Sequence, residues 1–476
     1  MRNTQRTLLA IAIGSLSTLA VAEPASQEFV PLTVKSTSAQ DEATGFIEGQ
    51  SLSGTTRNFF AKEKFKNTNG SRFTVPKHNG VVEKTNDRTT WTQGTILNYT
   101  SGFTQGTVGF AVEGAVYNEI ALEQGRGRTV GGGNRTLTDS DGDAVGQWSK
   151  MGLGNLKVRY SNTVLTAGRQ SMNTPMVASI GNRALPSSFE GISLHSAEFD
   201  NLTFDVGTFD RVSPRTEQSL TRFSSEYAGV AATTDHVHTA GAVYKPFKSV
   251  EASLYATQAE DFWNQYYFGL THELGDADVF ALTSGLNYYR TKDEGSSKLG
   301  SIDNNTYSLS FTGTHGAHSL TVAWQQVDGN EYFDYLHETN GIFLANSLLS
   351  DFNAPNEKSL QFAYGLDMNK YGVPGLKFSI YTARGWDIDG THYHSTGYGD
   401  ARLGAGRQLS NMDGEHHREY GVGASYAVQS GPLKATTVRA TYTIHRGSKD
   451  DTNGTSQPDG SLNELRVVTT IPFNIL

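Results

Sequence analysis

The stretch Val108-Gly109-Phe110-Ala111-Val112-Glu113-Gly114-Ala115-Val116 alternates residue by residue. Val108, Phe110, Val112 and Val116 share one face, and Glu113 lies on the other. A period of two belongs to a β-strand with one apolar face; a helix would repeat its apolar residues three and four apart. The same period recurs in Leu156-Lys157-Val158-Arg159-Tyr160, where both cations oppose the apolar face. It recurs again where Val438, Ala440, Tyr442 and Ile444 oppose Arg439, Thr441, Thr443 and His445. Leu320, Val322 and Trp324 repeat it, as do Leu360, Phe362 and Tyr364. Helix-period segments are nearly absent.

A β-sandwich would alternate in the same way, so the connections have to decide. Strands are read at 46–60, 89–100, 104–117, 154–160, 163–169, 192–199, 202–209, 238–245, 249–257, 264–273, 279–290, 305–313, 318–327, 359–367, 375–384, 418–428, 434–446 and 464–475, eighteen in all. A weaker segment near 223–231 is assigned to a loop. The connection 61–88 is long, 100–103 short, 118–153 long, 161–162 short, 170–191 long, 200–201 short, 210–237 long and 246–248 short. The contrast weakens at 258–263 against 274–278 and then resumes, through 429–432 to 447–463. Connections sorted by parity, with long loops on one side and tight turns on the other, are the mark of an outer-membrane β-barrel. An even strand count puts both termini on the periplasmic side. Closure also removes the sheet edges, which lipid could not hydrogen-bond. Tyr99, Phe103, Tyr160, Phe199, Tyr255, Tyr266, Tyr289, Phe311, Trp324 and Tyr364 stand near strand ends and read as interfacial girdles, against the competing explanation that aromatics simply favour strands.

Composition agrees. Only 37% of the 476 residues are hydrophobic and 18% are charged, so a polytopic helical membrane protein is excluded. The absence of Cys removes thiol chemistry, and a net charge of −9 gives no field for nucleic acid. At the N-terminus, Arg2 and Arg6 precede an apolar run from Leu8 to Leu19 and the small-residue site Ala20-Val21-Ala22. Residues 1–22 therefore read as a secretory signal peptide, with the mature chain starting at Glu23. No Cys follows that site, which excludes a lipoprotein. Residues 23–44 form an N-terminal periplasmic segment and 45–476 the transmembrane β-barrel.

Several fragments in order then carry a resemblance: Gly45-Phe46-Ile47-Glu48, Gln93-Gly94-Thr95-Ile96-Leu97-Asn98 and Ser101-Gly102-Phe103-Thr104-Gln105-Gly106-Thr107-Val108-Gly109-Phe110. Phe333-Asp334-Tyr335, Ser350-Asp351-Phe352-Asn353, Gly372-Val373-Pro374-Gly375-Leu376 and Val428-Gln429-Ser430-Gly431-Pro432-Leu433-Lys434 follow. With these, the chain resembles the OprD/Occ family of Gram-negative outer-membrane substrate-specific porins over about 45–476. The resemblance implies an all-β fold, one 18-stranded antiparallel transmembrane β-barrel with inward-folded constriction loops after the fifth and thirteenth strands, here 170–191 and 328–358. It also implies a narrow pore, a row of basic side chains on the wall, and passive uptake of amino acids and small carboxylates.

Arg57, Arg159 and Arg439 oppose their strands' apolar residues and should face the lumen. Arg384 and Arg418 end strands beside the eighth long loop, and Arg402 and Arg407 lie within it. Arg384 shares parity with Phe378 and Ile380, so it joins the row only if its strand bulges or ends first. Cations in a narrow, low-dielectric pore focus field on a carboxylate, and guanidinium forks match its geometry. Arg183, Ser187, Asp334, Tyr335 and Asp351 are the constriction candidates, with the alternative that Asp334 and Asp351 only tie their loop to the wall. Glu113 and Asp205 also have inward parity; clustered with Asp334 they would favour basic amino acids instead.

Asp139-Ser140-Asp141-Gly142-Asp143 starts like a calcium loop, but its twelfth position is Lys150. His392, His394, His416 and His417 flank the eighth loop and read as solvated. No nucleophile elbow, P-loop or dinucleotide motif is present, so no catalytic residue, metal or cofactor is assigned and the chain is read as a non-enzyme. The alternatives are an esterase-like barrel enzyme or adhesin and a general unselective porin. The partners expected are small carboxylate or amino-acid substrates, outer-membrane lipid and lipopolysaccharide, and the barrel-assembly machinery, for a monomer or weak homotrimer.

Overall fold

The computed structural model of the chain describes residues 29–66, 73–76, 82–123, 136–137, 145–393, 397–398, 409–448 and 460–476. The signal segment 1–22, Arg402, Arg407, the acidic run 139–143 and His394 lie outside the described residues.

Eighteen strands close into one antiparallel sheet in chain order. They are β1 Ser51–Phe65, β2 Asp87–Thr100, β3 Val108–Ala121, β4 Gln147–Tyr160, β5 Thr163–Gln170, β6 Ser188–Ser196, β7 Leu202–Ser213, β8 Val237–Phe247 and β9 Val250–Ala259. β10 Trp263–Asp276, β11 Phe280–Asp293, β12 Asp303–His315, β13 His318–Asp328, β14 Lys358–Asp367, β15 Leu376–Trp386, β16 His417–Ala427, β17 Thr437–Gly447 and β18 Leu462–Asn474 complete the barrel. Closure is made by β1, where Arg57 sits opposite Thr470 of β18 on one side and opposite Gly94 of β2 on the other. Each strand inferred from alternation is present. The segment demoted to loop folds as a small hairpin, Phe223–Ser225 with Gly229–Thr234, inside the fourth long connection.

The apolar face points outward, the reverse of a sandwich. Leu254, Tyr160, Leu320 and Val422 are each more than half exposed, covered by no part of the chain. In an outer-membrane barrel this band meets lipid. The inner face is polar: Asn304, Thr306 and Ser308 of β12 are buried there, as are Thr257 of β9 and Gln325 of β13. Two members of the inferred girdle belong to this inner face. Tyr255 and Tyr289 are 4% and 0% exposed and point into the lumen, whereas Tyr160, Tyr266, Phe311 and Tyr364 face outward.

Several strands run further on the long-loop side than alternation suggests. β1 continues to Phe65, and β4 starts at Gln147 instead of 154. A bulge between Ala115 and Val116 shifts the β3–β4 register there, so the apolar phase breaks while the ladder continues. At the other end, 46–50 form a turn before β1. Gly45 takes φ +126°, and the Gly49 amide donates to its carbonyl at 3.1 Å.

Residues 29–50 lie along the short-turn rim and visit alternate hairpin turns in reverse order. Val30 donates to Pro246 at the β8–β9 turn (2.7 Å), Lys35 to Glu198 between β6 and β7 (2.8 Å), and Gln40 to Ser161 between β4 and β5 (3.1 Å). Phe46 accepts from Gly102 between β2 and β3 at 2.8 Å. The chain then turns upward into β1.

Candidate functional site

The connection 171–187, after β5, folds into the barrel. Arg57 of β1 donates to the carbonyls of Gly181 (2.6 Å) and Arg183 (2.9 Å), so an inward wall arginine holds the loop by its backbone. Gly94 of β2 lets the loop lie flat on the wall, since a Cβ there would stand 2.6 Å from the Ala184 carbonyl oxygen. The connection 329–357, after β13, folds in from the other side. Tyr289 joins the two loops: its hydroxyl donates to Pro175 at 3.1 Å and accepts from the Phe343 amide at 3.0 Å. Met176, Ile342 and Leu344 pack with Tyr255, Tyr267, Tyr289 and Phe333. Burying apolar loop side chains in this way stabilises by about 1.5–3 kcal/mol each as an upper guide.

The sequence-derived acids prove to be engaged. Asp334 is 3% exposed and accepts from the Ser225 hydroxyl, from the Tyr335 amide at 2.7 Å and from the Tyr227 amide at 3.2 Å. Burial pushes its carboxyl up to about 6, although these donors work the other way. Asp351 accepts from Tyr227 (2.7 Å), Tyr335 (2.8 Å) and Ser347 (2.7 Å), and burial raises its carboxyl too. Tyr335 thus serves Asp351, and both acids tie their loop to the small hairpin of the fourth connection. Ser187 is buried in the first inward loop, where its hydroxyl accepts from Ile180 at 3.0 Å. Glu113 pairs with Lys157 at 2.9 Å. Asp205 accepts from Tyr255 at 2.7 Å and contacts His195 at the same distance. The acids that could have turned the pore toward cations are each already partnered.

The basic residues divide. Arg159 faces inward near the short-turn end, where its Nε donates to Gln40 at 2.9 Å and its guanidinium lies 3.9 Å from the Phe103 ring centre. Arg439 faces inward, half-buried, and has no hydrogen-bond or ion-pair partner among the described residues. Arg183 and Arg466 both stand 5.8 Å from the ring centre of Phe59, which is buried on the inner face of β1. Arg466 also donates to Glu464 at 2.8 Å. Arg384 and Arg418 do not join this row. No bulge interrupts β15 where it pairs with β14 and β16, so Arg384 keeps the outward phase of Phe378 and Ile380. Arg418 keeps that of Tyr420 and Val422.

Sequence reasoning missed Arg466, although it opposes Leu465, Ile471 and Phe473 in parity and could have been read that way. It also missed Arg215, whose loop position carries no periodic signal. Arg215 holds Glu338 through Nε at 2.8 Å and Nη2 at 3.0 Å. His417, read as solvated, is 1% exposed and sits in the wall between Glu357 and His445, with Phe352 stacked on it at 4.3 Å.

A channel narrowed by two inward loops, one held on the wall by Arg57 and both joined through Tyr289, has counterparts among known proteins. Residues 44–475 match the family model described as outer membrane porin, OprD family. Porin D of Pseudomonas aeruginosa is 38% identical over 450 residues, covering 92% of this chain and 94% of that protein. The porin-like protein GalP of Pseudomonas putida is 27% identical over 439 residues, covering 91% and 94%. The crystal structure of Pseudomonas aeruginosa OccD3 (OpdP) superposes with a TM-score of 0.78 at 44% identity, covering 96% of each chain. With the barrel, its inward loops and these matches in agreement, the chain belongs to the OprD family of outer-membrane porins.

Proposed function

We propose that this outer-membrane channel passes small carboxylates, amino acids among them, along its arginine-bearing wall. The observation that carries the reading is Arg439: an inward guanidinium without a partner among the described residues, beside Arg466 on the neighbouring strand. Every inward acid weighed against it is already engaged by a hydrogen-bond donor or a cation. An unpaired guanidinium at a low-dielectric wall attracts a carboxylate and, as one moderate contact among several, releases it again. Arg159 then hands the anion toward the periplasmic mouth. Residues 1–22 serve as the cleaved export signal and 23–44 as the periplasmic segment.

Reversal potentials of the mature protein in planar bilayers under a KCl gradient test this. Anion preference is expected in the wild type, falling toward zero in Arg439→Gln, with loss of carboxylate uptake into liposomes and little change for a neutral sugar. Cation preference in the wild type, or carboxylate uptake untouched by Arg439→Gln, would sink the reading.

A further inference from the structure

The outer wall carries three arginines that the pore does not use. Arg384 of β15 lies directly opposite Arg418 of β16, and Arg418 directly opposite Arg446 of β17. All three share the outward phase, at the long-loop ends of their strands. Arg446 is fixed in place, donating to the Leu462 carbonyl at 3.0 Å and to Asn463 Oδ1 at 2.7 Å. Arg384 and Arg418 are exposed and have no side-chain partner among the described residues. The next outward cation along, Lys358, is neutralised by Asp387 at 3.0 Å. Like charges directly opposite one another in a sheet repel, and arginine on a lipid-facing wall is unfavourable except near the interface. An anion lying across the three would relieve the repulsion.

A groove of about 430 Å³ opens on the same strands just below. Two residues down each ladder, Phe362, Thr382, Tyr420 and Ile444 are registered cross-strand neighbours, and the small Thr382 leaves a trough between its aromatic flanks. Ile380 and Val422 continue it toward the middle of the lipid-facing band. A cationic head above an apolar trough matches an amphiphile with an anionic head and acyl chains.

We propose that Arg384, Arg418 and Arg446 bind the phosphates of the outer-leaflet glycolipid, the lipid A portion of lipopolysaccharide, with one acyl chain lying in the groove beneath. Guanidinium forks pair with phosphate oxygens in a bidentate manner. Neighbouring registered side chains stand about 5 Å apart, so the three heads together span a bisphosphorylated sugar.

The test is native mass spectrometry of the mature protein in non-ionic detergent, titrated with bisphosphorylated lipid A, dephosphorylated lipid A or inorganic phosphate. The wild type is expected to retain one bisphosphorylated lipid A. At about a factor of five to ten per arginine near an anionic surface, R384Q/R418Q/R446Q should weaken retention by about a hundredfold to a thousandfold. R418Q alone removes an exposed, unpartnered side chain and should weaken retention about five- to tenfold. K62Q, an outward cation on β1, should bind like the wild type. Wild-type-like retention by R418Q and the triple variant overturns the proposal, as does equal retention of dephosphorylated lipid A. Inorganic phosphate binding as tightly as the lipid would reduce the site to a simple anion site and overturn the lipid assignment. Heat-modifiable gel mobility reports whether each variant is a folded barrel; if the triple variant fails there, R418Q alone decides, and its wild-type-like retention overturns the proposal.

Discussion

Arg215 and Glu338 meet in a two-pronged hydrogen bond, 2.8 Å and 3.0 Å long, with both side chains less than a tenth exposed. The pair joins the connection after β7 to the inward loop after β13, and Arg215 also reaches Asn182 of the other inward loop. Three connections thus share one guanidinium. Removing one partner of a buried ion pair costs about 3–5 kcal/mol, because the other charge is left uncompensated. Glu338→Gln should therefore loosen both constriction loops without opening the barrel. Single-channel recordings should show larger current noise and a higher mean conductance, with heat-modifiable mobility retained.

The same carboxyl sets an acid limit. Burial works against its charge, but Arg215 and His337 hold it down to about 2. A depressed carboxyl stabilises the folded loop above its ordinary range, about 4 to 5, and that contribution is lost as pH falls through the folded value. The wild-type pore should stay quiet from neutral pH down to about 4 and become noisy only toward about 2. Noise that rises already near pH 6 would contradict this.

Asp334 has the opposite sign. Burial raises it to about 6, so its contribution is complete below the ordinary carboxylate range and fades as pH climbs through 6. Asp334→Asn keeps the neutral form at all pH values. At pH 8 it should match or exceed wild-type stability, by up to about 2 kcal/mol, in a denaturant titration followed by gel mobility. Clear destabilisation at pH 8 would mean that the charged form is the one the loop prefers.

Gly94 gives a steric prediction. Gly94→Val places a branched side chain where the Ala184 carbonyl lies, so the loop 171–187 must lift from the wall. Arg57→Gln removes the two backbone contacts that hold the same loop, at about 1–3 kcal/mol for carbonyls left unsatisfied. Both variants should change conductance in the same direction, and their double variant should add little beyond either alone. Full additivity would show that the glycine and the arginine act on different parts of the pore.

Much of this architecture is legible in the chain because a lipid-facing strand must be apolar at every second position. Val108 to Val112 and Val438 to Ile444 carry that signal, and the parity of loop lengths converts it into a barrel. The signal fades where strands rise past the lipid, as at Gln147–Lys150, since outward residues there need not be apolar. Parity also placed Arg57, Arg159 and Arg439 on the inner face, and it would have placed Arg466. It cannot tell a free guanidinium from an engaged one. Arg57 is occupied by the carbonyls of Gly181 and Arg183, residues more than a hundred positions away in sequence. Asp334, Asp351 and Arg215 lie in aperiodic loops, so only three-dimensional packing shows what they touch.

The strip of chain from Val30 to Phe46 stitches the turns that precede β3, β5, β7 and β9, and no comparable thread crosses the turns from β10 to β17 among the described residues. Among the described residues, one half of the short-turn mouth is therefore hooped. A hoop can tighten only after the hairpins it grips have formed, so its final fastening belongs to the end of folding and not to its start. In service it stiffens the semicircle that holds Arg159 through Gln40, so this end of the pore keeps its bore on that side.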